Sequence, residues 1–165
     1  MQHMFEIQLL SNDHSAQAVD LILPIQQIEF GVPITLQDQP DLLDIDNYYL
    51  QPGGGFWGAF EEKELIGTIA LINAGHATGV IRKMFVKKEF RGKEKGVARL
   101  LLKSLLDYSR AKGLTDIYLG SVSQMKAAHR FYERNGFEPI QPEALPAHFP
   151  RMSNDNVFYH LSLLK

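Results

Sequence analysis

The chain has 165 residues, 45% of them hydrophobic and 22% charged, which is typical of a folded protein and excludes a disordered or collagen-like chain. It contains no cysteine, which excludes disulfides, thiolate metal ligands and a cysteinyl enzyme intermediate. The sequence has neither the roughly 20 consecutive apolar residues of a membrane-spanning helix nor a secretory signal pattern. We therefore expect a single domain, residues 1–165, in the cytoplasm and without a membrane partner.

Charge is unevenly distributed along the chain, although the net charge is only -2. Residues 1–62 contain ten acidic residues and no Lys or Arg, whereas residues 63–165 contain all 17 Lys and Arg and nine acidic residues. Because charge of one sign concentrates the other sign nearby, this pattern fits two partners of opposite charge or one bipolar site. Attraction between the two parts across the fold explains it equally well.

Hydrophobic spacing predicts the elements in chain order. Alternation predicts a first strand over 5–10, and apolar residues at helical spacing predict a helix over 15–30 with a break at Pro24, followed by a short helix over about 38–49. The later elements are strands over 56–60, 65–72 and 80–86, a long amphipathic helix over 97–112, a strand over 116–122, a helix over 126–134 and a last strand over 157–163. This order predicts an α/β (α+β) fold, a mixed sheet of about seven strands with helices on both faces.

A basic loop that contains glycines lies between the strand at 80–86 and the long helix. It comprises Arg91, Gly92, Lys93, Glu94, Lys95, Gly96, Val97 and Ala98. A helix N-terminus offers unpaired N–H groups and a positive dipole end, and glycine lets a ligand approach the backbone, so the loop suits a phosphate. The loop matches neither a Walker loop nor a dinucleotide fingerprint. A generic basic turn is the alternative interpretation.

Two segments resemble one known family. Residues 93–98, Lys-Glu-Lys-Gly-Val-Ala, are similar to the end of the pyrophosphate loop Gln/Arg-x-x-Gly-x-Gly/Ala of the GCN5-related N-acetyltransferase (GNAT) family, and Arg91-Gly92 resembles the Arg-Gly that opens it, here with two extra residues before Gly96. Residues 128–137, Ala-His-Arg-Phe-Tyr-Glu-Arg-Asn-Gly-Phe, resemble the family signature A-x-x-F/L-Y-x-x-x-G-F. Met125 stands where the family often has Asn.

The resemblance implies a GNAT-like acyl-CoA N-acyltransferase fold and an enzyme that moves an acetyl group from acetyl-CoA to a primary amine. It implies that the loop over 91–98 holds the pyrophosphate of the donor. The backbone of Met84, Phe85 and Val86 would pair with the pantetheine arm and polarise the thioester carbonyl. Ala128 would leave room for that arm. A non-catalytic acyl-CoA-binding module of the same fold is the alternative function.

Tyr132 follows Ala128 by one helical turn and is implied as the general acid that protonates the departing thiolate. A core aromatic is the alternative role for this side chain. Since the chain has no cysteine, we expect direct attack by the amine in a ternary complex. The general base of the family is a carboxylate; Glu29 is our first choice, with Asp41 and Asp44 behind it, although each also suits a solvated surface position.

The acceptor side is predicted from charge and from one irregular segment. We expect Glu29, Asp41, Asp44 and Phe149 to bind the acceptor, with the proline-containing segment 139–156 as one wall of its pocket. The acidic part favours a cationic amine, either a small molecule or a peptide. The six histidines lack metal-ligand spacing, so we expect no metal, and the basic residues lack interleaved aromatics, so we expect no nucleic acid. The sequence leaves a monomer and a homodimer open.

Overall fold

The computed structural model describes residues 5–152 and 155–164, and all structural statements below concern these residues. Seven strands form one mixed sheet in the order β1-β2-β3-β4-β5-β7-β6. The strands are β1 (Glu6–Leu9), β2 (Gly55–Glu61), β3 (Glu64–Gly75), β4 (Thr78–Val86), β5 (Asp116–Ser121), β6 (Glu138–Ile140) and β7 (Val157–Ser162). The α-helices are α1 (Ser15–Pro24), α2 (Val97–Ala111) and α3 (Lys126–Arg134). The predicted α/β class with about seven strands is confirmed.

The sheet forks between its two central strands. β4 and β5 pair in parallel from Thr78 and Asp116 as far as Ile81 and Leu119. Beyond this last pair β4 continues to Val86 and β5 to Ser121, so the facing edges of the two strands diverge. On their outer edges β4 pairs with β3 and β5 pairs with β7. Beyond Ile81 and Leu119, the backbone groups on the inner edges face the gap between the two strands and are available to a ligand.

Helices cover both faces of the sheet, as the amphipathic patterns predicted. On one face α2 and α3 contribute Leu101, Leu105 and Tyr132 to a core with Ile69 and Leu71 of β3. On the other face α1 packs over β2 and β3, with a core that includes Ile22, Phe56 and Ala70. The part of this second face formed by β5 and β7 is covered by the segment 142–152, in which Phe149 packs against Val80 and Phe158.

Two predicted helices differ in detail from the structure. The helix over 15–30 ends as α1 at Pro24 and continues as a π-helical turn over Ile25–Glu29, and the predicted break thus coincides with the proline. The predicted helix over 38–49 is replaced by two separate turns, Pro40–Leu42 and Asp46–Leu50. Asp44 lies between them and its carboxylate accepts hydrogen bonds from Asn12 and Asn47, which compete with helical backbone bonds. None of the described helices has the length and apolar content needed to cross a bilayer.

Candidate active site

A cavity of about 430 Å³ opens at the fork between β4 and β5. It is bounded by β4, the end of β5, α3, the turn after α1 and the C-terminal segment, by which we mean the described residues between β6 and β7, 141–152 and 155–156. Its lining residues include Phe30, Ile34, Asp38, Arg82, Lys83, Met84, Phe85, Gly120, Ser121, Val122, Met125, Ala128, Tyr132, Met152 and Asp155. The structure therefore brings together four of the sequence-predicted site residues, Met84, Phe85, Ala128 and Tyr132.

Tyr132 combines a core position with access to this cavity. Its ring packs against Phe137 and Tyr159, at centroid distances of 5.6 and 5.9 Å, and only 5% of the residue is exposed. Burial, reinforced by the neighbouring Tyr159, raises the pKa of the Tyr132 phenol above its ordinary value. The phenol is consequently neutral at physiological pH and carries a proton that it can donate. Met125, at the position where the family often has Asn, lines the same cavity.

The loop before α2 has the backbone geometry of a phosphate cradle. Gly92 and Gly96 have φ angles of +113° and +72°, the left-handed region that favours glycine. A Cβ added to Gly96 would meet no atom within 4 Å, so the space above this residue is open. Leu100 N–H bonds to the Gly96 carbonyl at 3.1 Å and closes the first helical turn. The amides of Lys95 and Gly96 donate to the Gly92 carbonyl, so the amides at 97–99, which have no intrahelical acceptor, are the ones that suit a ligand.

The side chains of this loop divide into exposed and buried ones. Lys93, Glu94 and Lys95 are exposed, and the two ammonium groups add positive charge beside the helix N-terminus. Val97 is 1% exposed and belongs to the core under α2, so it can serve a ligand only through its backbone N–H. Ala98 is partly buried and keeps the first turn narrow. These residues fit a pyrophosphate held by backbone amides with lysines at the rim.

Arg91, predicted to contact the donor, is bonded to other residues of the fold. Its Nε donates to the Val86 carbonyl at 2.7 Å, and its guanidinium forms a two-point ion pair with the carboxylate of Glu29. It also lies 5.7 Å from the ring centroid of Phe30. The hydrogen bond from Arg91 lowers the pKa of the Glu29 carboxyl. Glu29 lies outside the cavity at the fork, so the structure does not bring our first-choice base to Tyr132.

The other predicted acceptor residues have partners within the fold. Asp41 accepts a hydrogen bond from the Tyr49 hydroxyl at 2.5 Å and lies 3.6 Å from the Lys83 ammonium. Asp44 holds the Asn12 and Asn47 side chains, and Phe149 is buried in the core. Glu29 and Asp41 thus pair with basic residues of the 63–165 part. These contacts favour attraction across the fold as the reason for the segregated charge.

A bulge in β4 supplies two cavity residues that the sequence analysis did not select. Ala70 pairs with Arg82 and Thr68 with Phe85, so β4 has one residue more than β3 over this stretch. Lys83 adopts a φ of +53°, a left-handed conformation that costs a non-glycine residue about 1–2 kcal/mol. The bulge interrupts the alternation of the strand, and consecutive Arg82 and Lys83 both line the cavity.

Lys83 is the centre of a buried polar network beside the cavity. Its ammonium donates to the Gln39 side-chain oxygen, and the Gln39 and Gln26 amides exchange two hydrogen bonds of 2.8 and 3.1 Å. The side chain is 7% exposed, and this burial lowers the pKa of the ammonium although Asp41 opposes the shift. Strand alternation alone would have sent Lys83 to the opposite face. Within the described residues, no group of three His, Asp or Glu is placed to hold a metal ion, and metal-independent transfer stays a prediction.

Comparison with known proteins identifies the family. Residues 20–137 match the family described as "Acetyltransferase (GNAT) family". The chain belongs to the GNAT family of acetyltransferases. The resemblance drawn from the loop at 91–98 and the signature at 128–137 is thereby confirmed, as is the assignment of the protein as an enzyme.

Solved structures agree with this membership. A GNAT acetyltransferase from Staphylococcus aureus is 34% identical to this GNAT protein and superposes with a TM-score of 0.93, covering 97% of this chain and 99% of its own. The N-acetyltransferase paia from Thermoplasma acidophilum, solved in complex with coenzyme A, is 18% identical with a TM-score of 0.72, covers 96% of this chain and 99% of its own, and shows the same fold.

Curated relatives match over part of their length. The N-acetylaspartate synthetase of Xenopus tropicalis is 34% identical over 102 residues, which are 61% of this chain and 37% of that protein. This GNAT protein thus spans well under half of that relative.

Proposed function

We propose that the protein transfers the acetyl group of acetyl-CoA directly to the amine of a small acceptor bound in the cavity at the fork. The observation that carries this proposal is that Tyr132, a neutral phenol, lines the same cavity as Met84 and Phe85 of the diverging β4 edge. The amine nitrogen attacks the thioester carbon, the C–S bond breaks, and the phenol protonates the departing sulfur. Backbone N–H groups near Phe85 polarise the thioester carbonyl.

The donor is held, in this proposal, on the opposite side of the fork from the acceptor. The amides at the start of α2 and the open space above Gly96 support binding of the pyrophosphate. Ala128 is the small residue that leaves room for the pantetheine arm beside α3. The absence of cysteine supports direct transfer without an acetyl-enzyme intermediate.

The acceptor proposed here differs from the cationic amine that the charge pattern favoured. Glu29, Asp41 and Asp44, on which that prediction depended, bond to other residues of the protein. The residues that line the cavity carry both signs of charge, with Arg82 and Lys83 basic and Asp38 and Asp155 acidic. A bipolar acceptor, such as an α-amino acid, satisfies both signs. The name of the relative N-acetylaspartate synthetase is consistent with an amino acid acceptor.

Turnover of acetyl-CoA with a panel of amines tests the proposal. We expect thiol release and an acetylated product, identified by mass spectrometry, with α-amino acids preferred over their carboxamides and over polyamines. If a polyamine is acetylated faster than the α-amino acids, the acceptor is a cationic amine, as the charge pattern of the sequence predicted. Binding of coenzyme A without turnover of any amine in the panel would argue against the proposed reaction.

A further inference from the structure

An amine acceptor is protonated at neutral pH and must lose a proton before it can attack. Tyr132 is reserved for the sulfur, so a second group has to receive the proton of the amine. Among the described residues, the carboxylates that line the cavity are Asp38 and Asp155. Glu29, the base predicted from the sequence, is excluded by its position outside the cavity and by its ion pair with Arg91.

The carboxylate of Asp38 is hydrogen-bonded within a local turn. Its Oδ2 accepts hydrogen bonds from the backbone N–H and the hydroxyl of Thr35, each at 3.0 Å, and the residue is exposed. Oδ2 is thus already engaged by the turn, and the side chain faces solvent. Asp38 therefore caps the turn that follows α1.

Asp155 reaches from the C-terminal segment to the β5 arm of the fork. Its Oδ2 would lie 2.3 Å from a Cβ placed on Gly120, so the carboxylate lies directly against the backbone of this glycine. Gly120 comes immediately after Leu119, the residue with which parallel pairing to β4 ends. A side chain at position 120 would displace the carboxylate, which gives the glycine a specific role. Asp155 is thus held at the point where the two strands diverge.

We infer that Asp155 is the general base that takes the proton of the acceptor amine at the fork. This inference rests on the proposed acetyl transfer. The ammonium form of the acceptor gives one proton to the Asp155 carboxylate, and the freed lone pair forms the C–N bond as the C–S bond breaks. The departing thiolate receives the proton of Tyr132. The nitrogen then loses a second proton, which restores the Tyr132 phenol, and the proton on Asp155 is released to solvent. Arg82 and Lys83, on the facing strand β4, then bind the carboxylate of the same acceptor.

The surroundings of Asp155 suit this role. Burial raises the pKa of its carboxyl, opposed by attraction to Arg82 on β4 and Arg151 on its own segment and by the Met152 backbone. Lys83 and Asp38 are the other charged side chains of the cavity. On α3, His129 contacts Ser121 with Nε2 and Oγ 3.1 Å apart, and burial lowers the pKa of its imidazole. A carboxyl with a raised pKa is a stronger base than an exposed one.

The test compares Asp155→Asn with the wild type and with Glu143→Gln, which removes an exposed carboxylate from the same segment. The probes are L-aspartate, L-glutamate and the amino acid acetylated fastest in the panel. We expect Asp155→Asn to lower kcat about a hundredfold at pH 6 to 7, the usual contribution of a general base. The deficit shrinks as the pH approaches the pKa of the amine, because free amine then needs no base. Glu143→Gln keeps the wild-type rate and pH profile.

A second measurement separates a base from a structural partner of Arg82. Because the raised pKa makes ionised Asp155 unfavourable for folding, Asp155→Asn should unfold at the same or a higher temperature than wild type at pH 7. A structural ion pair predicts a lower unfolding temperature instead. In Gly120→Ala the added Cβ would displace the Asp155 carboxylate without removing it. We therefore expect Gly120→Ala to lower kcat as Asp155→Asn does.

Three outcomes would overturn the inference while the wild type still acetylates an amine. The first is a pH profile of kcat in Asp155→Asn that equals that of the wild type. The second is a loss of stability of this variant at pH 7 that is large enough to explain its lower activity. The third is a limb of the pH profile that disappears in His129→Gln but persists in Asp155→Asn. A wild type that turns over no amine would instead contradict the proposed function itself.

Discussion

The carboxylate of Glu29 and the guanidinium of Arg91 lie in a two-point ion pair, with Oε1 and Nη2 2.6 Å apart. Glu29 ends the turn that extends α1, and Arg91 opens the loop before α2. Phe30, the residue after Glu29, lines the cavity at the fork. The ion pair therefore fixes the cavity wall at Phe30 against the first residue of the loop at 91–98.

Glu29→Gln should reduce the free energy of unfolding by about 1 kcal/mol or less, because both partners are about one-third exposed. The pKa of Glu29 is lowered in the folded state, so the contribution is present above the pKa of the unfolded chain and is lost as the pH falls through the folded value. Denaturant unfolding at pH 7 and pH 3 measures this loss. The exposed Glu138 supplies the control, Glu138→Gln. A Glu29→Gln variant with a lost acid limb in its rate profile would restore Glu29 as the base.

Tyr132→Phe should lower kcat about a hundredfold or more while the affinity for coenzyme A changes little. The substitution keeps the ring contacts with Phe137 and Tyr159 and removes only the donor to the sulfur. Steady-state kinetics and calorimetry measure the two effects separately. Tyr48→Phe, at a residue that is 50% exposed, is the matched control. Equal rates for the Tyr132 variant and wild type would leave Tyr132 with a packing role only.

Gly96→Val should weaken binding of acetyl-CoA, because a β-branched side chain fills the open space above the start of α2 and strains a backbone with φ of +72°. Gly113, at the other end of α2, has a φ of +78° and open space as well, so Gly113→Val introduces the same strain away from the loop. Calorimetric titration of both folded variants with acetyl-CoA isolates the effect on the ligand. Equal affinities in the two variants would remove the loop from the donor site.

Lys83→Met should raise the KM for an α-amino acid about tenfold or more relative to its carboxamide, since a hydrogen bond to a charged group contributes about 1.5–3 kcal/mol. Kinetics with the amino acid and its amide as competing acceptors measure this ratio. Lys103→Met, which removes an ammonium that is 70% exposed, should leave the ratio unchanged. If both lysine variants keep the wild-type ratio, the acceptor carboxylate does not bind at Lys83.

Much of the fold was predictable from local patterns. The helix α3 begins and ends where the sequence predicted, and α2 buries Val97, Leu101 and Leu105 on the face that their spacing indicated. Tyr132 and Ala128 reach the cavity because a motif on one helix keeps its spacing in three dimensions. Local periodicity is sufficient for such features.

The acceptor side was less accessible to sequence analysis, because it depends on contacts between distant residues. Glu29 and Arg91 are 62 positions apart, and nothing near Glu29 in the sequence indicates that its carboxylate is paired. The bulge at Lys83 reverses the side chains of a strand, and it arises from pairing with β3. Asp155 acquires its position from Gly120, through a contact that a list of carboxylates does not reveal.

Phe149 anchors the C-terminal segment on Val80 and Phe158, while Met152 and Asp155 of the same segment reach into the cavity. The residue that holds the segment on the sheet and the residues that line the cavity are therefore different, although they lie only a few positions apart. In the proposed reaction, substitutions at 152 and in the stretch after α1 would alter which amine is accepted, while the loop at 91–98, α3 and Asp155 stay unchanged. Under the proposed function, acceptor preference would therefore change through two short stretches that are distant in the sequence, without any change in the residues proposed to bind acetyl-CoA.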